Sequence, residues 1–149
     1  MRPSFAAGLC ALALIAVPAA ATAGSNPVTS APDPSVLMSP VALPVVADGR
    51  LVNYVFVTLR LGVARNADTY RLAALEPFFR DALVRAGHRT PFSRPDSYIA
   101  LDDARLKQTL LRDAAAIAGP GQVVSVEIVR EQPQHVDGLP KPGAGPGPD

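Results

Sequence analysis

His88, His135 and the adjacent acids Asp102-Asp103 are the residues of this chain best suited to acid–base or metal chemistry. A metal centre needs several converging ligands. Neither histidine has a second His, a Cys or a paired carboxylate at ligand spacing. His88 falls in His88-Arg89-Thr90, after a helical pattern, and reads as a polar helix-end residue in a loop. A role as base or ligand is the sharper alternative. His135 falls in a Pro/Gly-rich tail. Asp102-Asp103 opens a second helical pattern, where carboxylates bond free N–H groups and favour the helix dipole. No G-x-S-x-G elbow surrounds a serine, and no glycine run forms a phosphate-cradling loop ahead of a helix. These residues therefore assign no catalytic group, no cofactor and no metal, and the expectation is a protein that is not an enzyme.

Charge offers one other candidate. Arg80, Arg85, Arg89 and Arg94 lie on or just after the first helical pattern, with Asp81 the only acid among them. A cationic strip of this kind would suit anionic lipid heads or an acidic partner. The plainer reading is a solvated helix face. The net charge is +1, and that balance gives no support to nucleic-acid binding, which needs a clustered basic surface.

The elements that must position these residues run from Val41 to Glu131. VALPVV (Val41 to Val46) and LVNYVFVTLRLGV (Leu51 to Val63) flank Asp48-Gly49, a strong hairpin signal because Gly accepts positive φ at no steric cost. Pro44 removes a ladder donor and places the first strand at an edge or breaks it. In the second strand Leu51, Asn53, Val55, Val57, Leu59 and Leu61 share one face, which predicts the core side. Val52, Tyr54, Phe56, Thr58 and Arg60 share the other, which would meet solvent or a partner. Asn66 and Asp68 supply N-cap chemistry. Leu72, Leu75, Phe79, Leu83 and Ala86 recur at helical steps. Pro77 inside that pattern predicts a short first turn, a kink, and then the main helix, with Gly87 as its C-cap. His88 to Ser97 reads as a polar loop. A second helix is expected from Asp102 or Asp103 to Ala118, buried through Leu106, Leu110, Ala114 and Ile117, and stopped by Gly119-Pro120-Gly121. Val123 to Glu131 alternates as a closing strand. The predicted class is α+β: a small sheet in β-β-α-α-β order with two helices packed on it, flanked by disordered ends.

The ends have their own composition. Arg2, the apolar run Phe5 to Val17, and the small residues Ala21-Thr22-Ala23 read as a secretory signal over 1–23, cut after Ala23. A retained membrane anchor is the alternative, although a spanning helix needs about 20 apolar residues and Pro18 interrupts this segment. Cys10, the one cysteine, falls within the apolar run, so cleavage would leave no disulfide or thiol chemistry. Residues 24–40, rich in Ser and Pro, are expected to form a disordered linker, and 132–149 a disordered tail. The expected location is periplasmic or secreted, or at the inner membrane if the segment stays.

The stretch VALPVVADGRLVNYVFVTLRLGV, followed by LEPFFRDALVRA, LDDARLKQTLLRDAAAIAG and VVSVEIVRE, resembles the periplasmic domain of the FliL family of flagellar basal body-associated proteins. The likeness covers about 41–131 and rests on the order of elements and their apolar patterning. It implies a stomatin-like (SPFH) domain, partners at the inner membrane such as motor stator subunits, self-association into a homo-oligomer, and no enzymatic activity. The surfaces for such contacts would be Val52, Tyr54 and Phe56 on the long strand, and Arg80, Arg85 and Arg89 on the helix. The residues also leave open a stand-alone periplasmic binding or adaptor domain unrelated to flagella.

Overall fold

In a computed structural model, residues 33–140 and Pro142 are described. They run β1 (Ser35–Leu37), β2 (Val41–Ala47), β3 (Arg50–Val63), α1 (Thr69–Ala74), α2 (Glu76–Arg89), β4 (Ser93–Arg94), β5 (Ser97–Leu101), α3 (Asp103–Ala118) and β6 (Val123–Pro133). The class is α+β, as the patterning predicts.

The long strand β3 organises the sheet. Asp48 and Gly49 both hold positive φ, 50° and 72°, the pair a two-residue type I′ hairpin turn requires. That turn folds β2 back along β3, from Ala47 opposite Arg50 to Val41 opposite Val57. β6 pairs antiparallel with β3 from Val55 to Val63, and β1 pairs with its far end, Val36 opposite Leu61. The β6 register overlaps both others, so β1 and β2 lie end to end on one edge of β3 and β6 lies on the other. As a strand, β2 pairs with β3 alone. Pro44, with no N–H to donate, therefore sits in an edge strand, where its missing donor is tolerated.

Alternation sends Val55, Val57, Leu59 and Leu61 to one face, each 0% exposed. α2 and α3 cover that face through Phe79, Leu83, Leu106 and Leu110, all fully buried. Burying one such side chain is worth about 1.5–3 kcal/mol, so this shared face dominates the packing. Asp68 caps α1 by accepting from the Arg71 N–H at 3.0 Å. The first helical pattern does split in two, with Pro77 in the opening turn of α2. Asp102 caps α3 by accepting from the Arg105 N–H at 3.0 Å, and Gly119, at φ 104°, ends it.

Several expectations are corrected. The stretch expected as a linker, 24–40, contributes β1, whose neighbour Met38 donates to the Leu59 carbonyl at 2.8 Å and is 1% exposed. β3 outruns β2, so its far end has a free edge for β1 to fill. Residues 24–32, like the expected signal at 1–23, lie outside the described residues. At the other end, the expected tail begins inside β6, which continues through Gln132 and Pro133. The region read as a polar loop, His88 to Ser97, instead holds the end of α2 and most of a β4–β5 hairpin, anchored by buried Phe92, Tyr98 and Leu101. His88 is therefore a residue of α2. Gly87 is not the C-cap either: Thr90 takes that position, and Gly87 is buried within the helix. A Cβ at Gly87 would stand 3.0 Å from Leu43 Cδ2, so its role is close approach of α2 to the sheet. Leu51, expected in the core, is 53% exposed because it sits at the hairpin tip beside exposed Asp48, Gly49 and Arg50.

Candidate functional site

The sheet face opposite the helices carries the first predicted surface. Alternation along β3 places Val52, Tyr54, Phe56, Thr58 and Arg60 there, but they are not equally available. Phe56 is 43% exposed, opposite Ala42 on one side and Gln132 on the other. Tyr54 is half-buried opposite Pro44. Val52 is half-buried and packs against the core cluster, which corrects its assignment to an open surface. Leu37, opposite Arg60, adds a second exposed apolar side chain to this face. Toward the far end the face turns polar, with Arg60 and Glu127 paired at 3.2 Å. The arrangement is an apolar spot around Phe56 with an ion pair toward one end of the face.

The predicted arginine strip is not one strip. At about 100° per residue, Arg85 and Arg89 share a face of α2 and Arg80 points roughly 140° away. Arg85 is engaged with Asp81 one turn earlier, and Arg94 lies beyond the helix, bonded to Asp96 at 2.7 Å. Arg89 makes no ion pair among the described residues. It lines a groove of about 680 Å³ together with Arg105 and Arg112 of α3. α2 and α3 run antiparallel, and this groove lies where the end of α2 meets the first half of α3. Phe92 forms part of the lining, with the Arg105 guanidinium 5.5 Å from its ring centroid. Arg105 also donates to the Pro91 carbonyl. A second groove of about 350 Å³ continues along the same helix pair past Phe78, Ala82 and Ile117, with Asp81, Arg85, Arg89 and Asp113 also in its lining.

The residues singled out for acid–base chemistry are dispersed. The exposed His88 has Nδ1 2.9 Å from the Val84 carbonyl one turn earlier. Asp102 serves as the α3 cap and Asp103 lies 4.0 Å from Lys107. His135 is held through its backbone by Asn53. No three His, Cys, Asp or Glu residues converge as a metal site among the described residues. Among the same residues, no helix is long and apolar enough to cross a membrane.

Two features are not legible in the patterning. Alternation places Asn53 on the aliphatic face, yet it is the one buried polar residue of the described chain, at 3% exposure. The second is the Arg105 and Arg112 side of α3. A usable signal existed there: the two arginines are seven residues apart, two turns on one helix face, with Gln108 and Thr109 between them.

Comparison with models of known protein families gives no match, and comparison with curated proteins gives none either.

Proposed function

We propose that this chain is a non-enzymatic, periplasmic FliL-like protein that scaffolds or modulates a membrane complex, with the flagellar motor and its stator as the leading context. The observation that carries the reading is the long central strand β3. From Asn53 to Leu61 one face is occupied by the core, and the other presents Phe56, 43% exposed, with the Arg60–Glu127 pair toward one end. A half-buried aromatic with a polar rim is the usual composition of a contact patch. The order of elements from Val41 to Glu131 and the likeness to the FliL domain supply the rest of the argument. A partner or a second copy of the chain would meet the Phe56 face, and Arg85 and Arg89 would mark a separate contact on the helical side. No cofactor enters this reading.

A stand-alone adaptor of the cell envelope is the second reading, favoured by the composition of 1–23, which suits a cleaved secretory signal better than an anchor. Deleting the gene and scoring swarming and motor torque tests the leading version: loss of either supports it, and wild-type behaviour in both overturns it. Crosslinking in intact cells separates the two readings, since capture of motor proteins fits only the first. The N-terminal residue of the protein recovered from the envelope, together with its partition between soluble and membrane fractions, distinguishes anchor from signal.

A further inference from the structure

We infer that the groove between the end of α2 and α3 is a phosphate-group site, formed by Arg89, Arg105 and Arg112. Arg89, Arg105 and Arg112 all line one concavity of about 680 Å³, together with Thr90, Thr109 and Gln108. Such a set offers many N–H and O–H donors, and no carboxylate lines that half of the groove. Asp102 lies 3.9 Å from Arg105 and Asp113 lies 3.2 Å from Arg112, which moderates the positive charge from outside the lining. Arg89 carries no such partner among the described residues.

The state of Arg105 supplies an independent observation. Its Nε is buried and donates to no protein acceptor, because Asp102 at 3.9 Å is beyond hydrogen-bond reach. The Nε is closed to solvent, so the donors left for a ligand are those on the terminal nitrogens. The stacking on Phe92 and the bond to Pro91 fix the guanidinium in place, so little side-chain freedom remains to be lost on binding. A helix-dipole role for Arg89 at the end of α2, the Pro91 and Phe92 contacts of Arg105 and the Asp113 pair of Arg112 position the three side chains without using all their donors.

Stoichiometry selects the ligand class. A carboxylate has two oxygens, and one bidentate arginine engages both. Three guanidinium groups around one concavity match the larger oxygen set of a phosphate. That group can come from an acidic phospholipid head or from a free phosphate, and the lining is the same for both. The adjoining groove is lined by Phe78, Ala82 and Ile117 but also by Asp81, Arg85 and Asp113, so it does not choose between the two sources. The site does not depend on the FliL-like reading or on the Phe56 face.

The test uses the full chain with two probes: inorganic phosphate followed by NMR at the arginine side chains, and co-sedimentation with vesicles of phosphatidylglycerol against vesicles of phosphatidylcholine. The expected result is perturbation at Arg89, Arg105 and Arg112 by phosphate, and retention on the anionic vesicles only. Arg89→Gln and Arg112→Gln should each weaken retention about tenfold, the effect of one lost charge-assisted hydrogen bond. Arg50→Gln, an exposed change outside the groove, should leave it unchanged. Phosphate perturbation without vesicle retention upholds the site and assigns it to free phosphate. Absence of both responses overturns the inference, and so does an Arg50→Gln effect equal to that of Arg89→Gln.

Discussion

Asn53 grips His135 by both of its backbone groups. The Asn53 Nδ2 donates to the His135 carbonyl at 2.8 Å, and its Oδ1 accepts from the His135 N–H at 3.1 Å. The same Nδ2 donates to the Tyr98 carbonyl at 2.9 Å. One side chain thus ties the middle of the sheet to β5 and to the chain beyond β6. Next to it, the Gln134 N–H donates to the Tyr54 carbonyl at 2.8 Å, so the strand pairing and the side-chain clamp extend the ordered tail together.

Removing that clamp should be costly. Asn53→Ala leaves the Tyr98 carbonyl and the His135 groups without their partner, and one unsatisfied buried group costs about 1–3 kcal/mol, giving about 2–4 kcal/mol in all. Asn53→Asp should also destabilise, because an ionised carboxylate accepts but does not donate. Urea denaturation measures the loss, and hydrogen exchange at the His135 amide locates it. A wild-type midpoint together with retained His135 protection would refute the clamp.

Gly87 sets how closely α2 approaches the sheet. A β-branched side chain there must displace Leu43 and meets Phe92 at 3.6–3.7 Å from its first carbon. Gly87→Val should therefore destabilise by about 1–3 kcal/mol through overpacking. Alanine removes the helix penalty of glycine, worth about 0.5–1 kcal/mol, and needs only a small shift of the Leu43 side chain, so Gly87→Ala should be close to neutral. Thermal unfolding of the two variants gives the comparison, and equal melting temperatures would contradict the packing role.

Phe56→Glu separates contact from core. The side chain faces away from the helices, so far-UV circular dichroism and the unfolding midpoint should stay near wild type. Self-association or partner capture, read by sedimentation and crosslinking, should fall. A lost circular dichroism signal would mean that the ring is needed for folding. A full complement of assembled protein would remove this face from the proposed contact.

The β4–β5 turn carries a pH-sensitive pair. The hydrogen bond from Arg94 holds the Asp96 carboxyl below its ordinary value, with a backbone hydrogen bond adding to the effect, and Arg94 is raised in turn. A carboxyl depressed in the folded state contributes stability above its unfolded value, and that contribution disappears as pH falls through the folded one. The window therefore lies below about pH 4. An NMR titration should place Asp96 below a reference carboxylate, and Arg94→Gln should move it up. Both residues are well exposed, so the unfolding midpoint near neutral pH should barely change. An Asp96 titration unaffected by Arg94→Gln would show that the backbone sets its value.

What could be read from the residues was local. Asp48-Gly49 specifies its turn through φ. Pro77 divides two helices because it lacks an N–H, Asp68 and Asp102 cap by short-range geometry, and the β3 alternation assigns Val55 to Leu61 to the core. Each depends on neighbours within a few positions of the chain. The tertiary structure decided the rest, because partners distant in sequence make those features. β1 exists since β3 outruns β2. Gly87 serves close packing since Leu43 crosses beneath it, and Asn53 is tolerated in the core since Tyr98 and His135 arrive to bond it. Arg80 separates from Arg89, and Arg89 joins Arg105 and Arg112, only when α3 folds back along α2. The sequence by itself determined the β2–β3 hairpin, the helices, the closing strand and most of their buried faces. Which polar and charged residues meet was settled by packing, since hydrogen bonds and ion pairs act over a few ångströms that only the folded chain brings together.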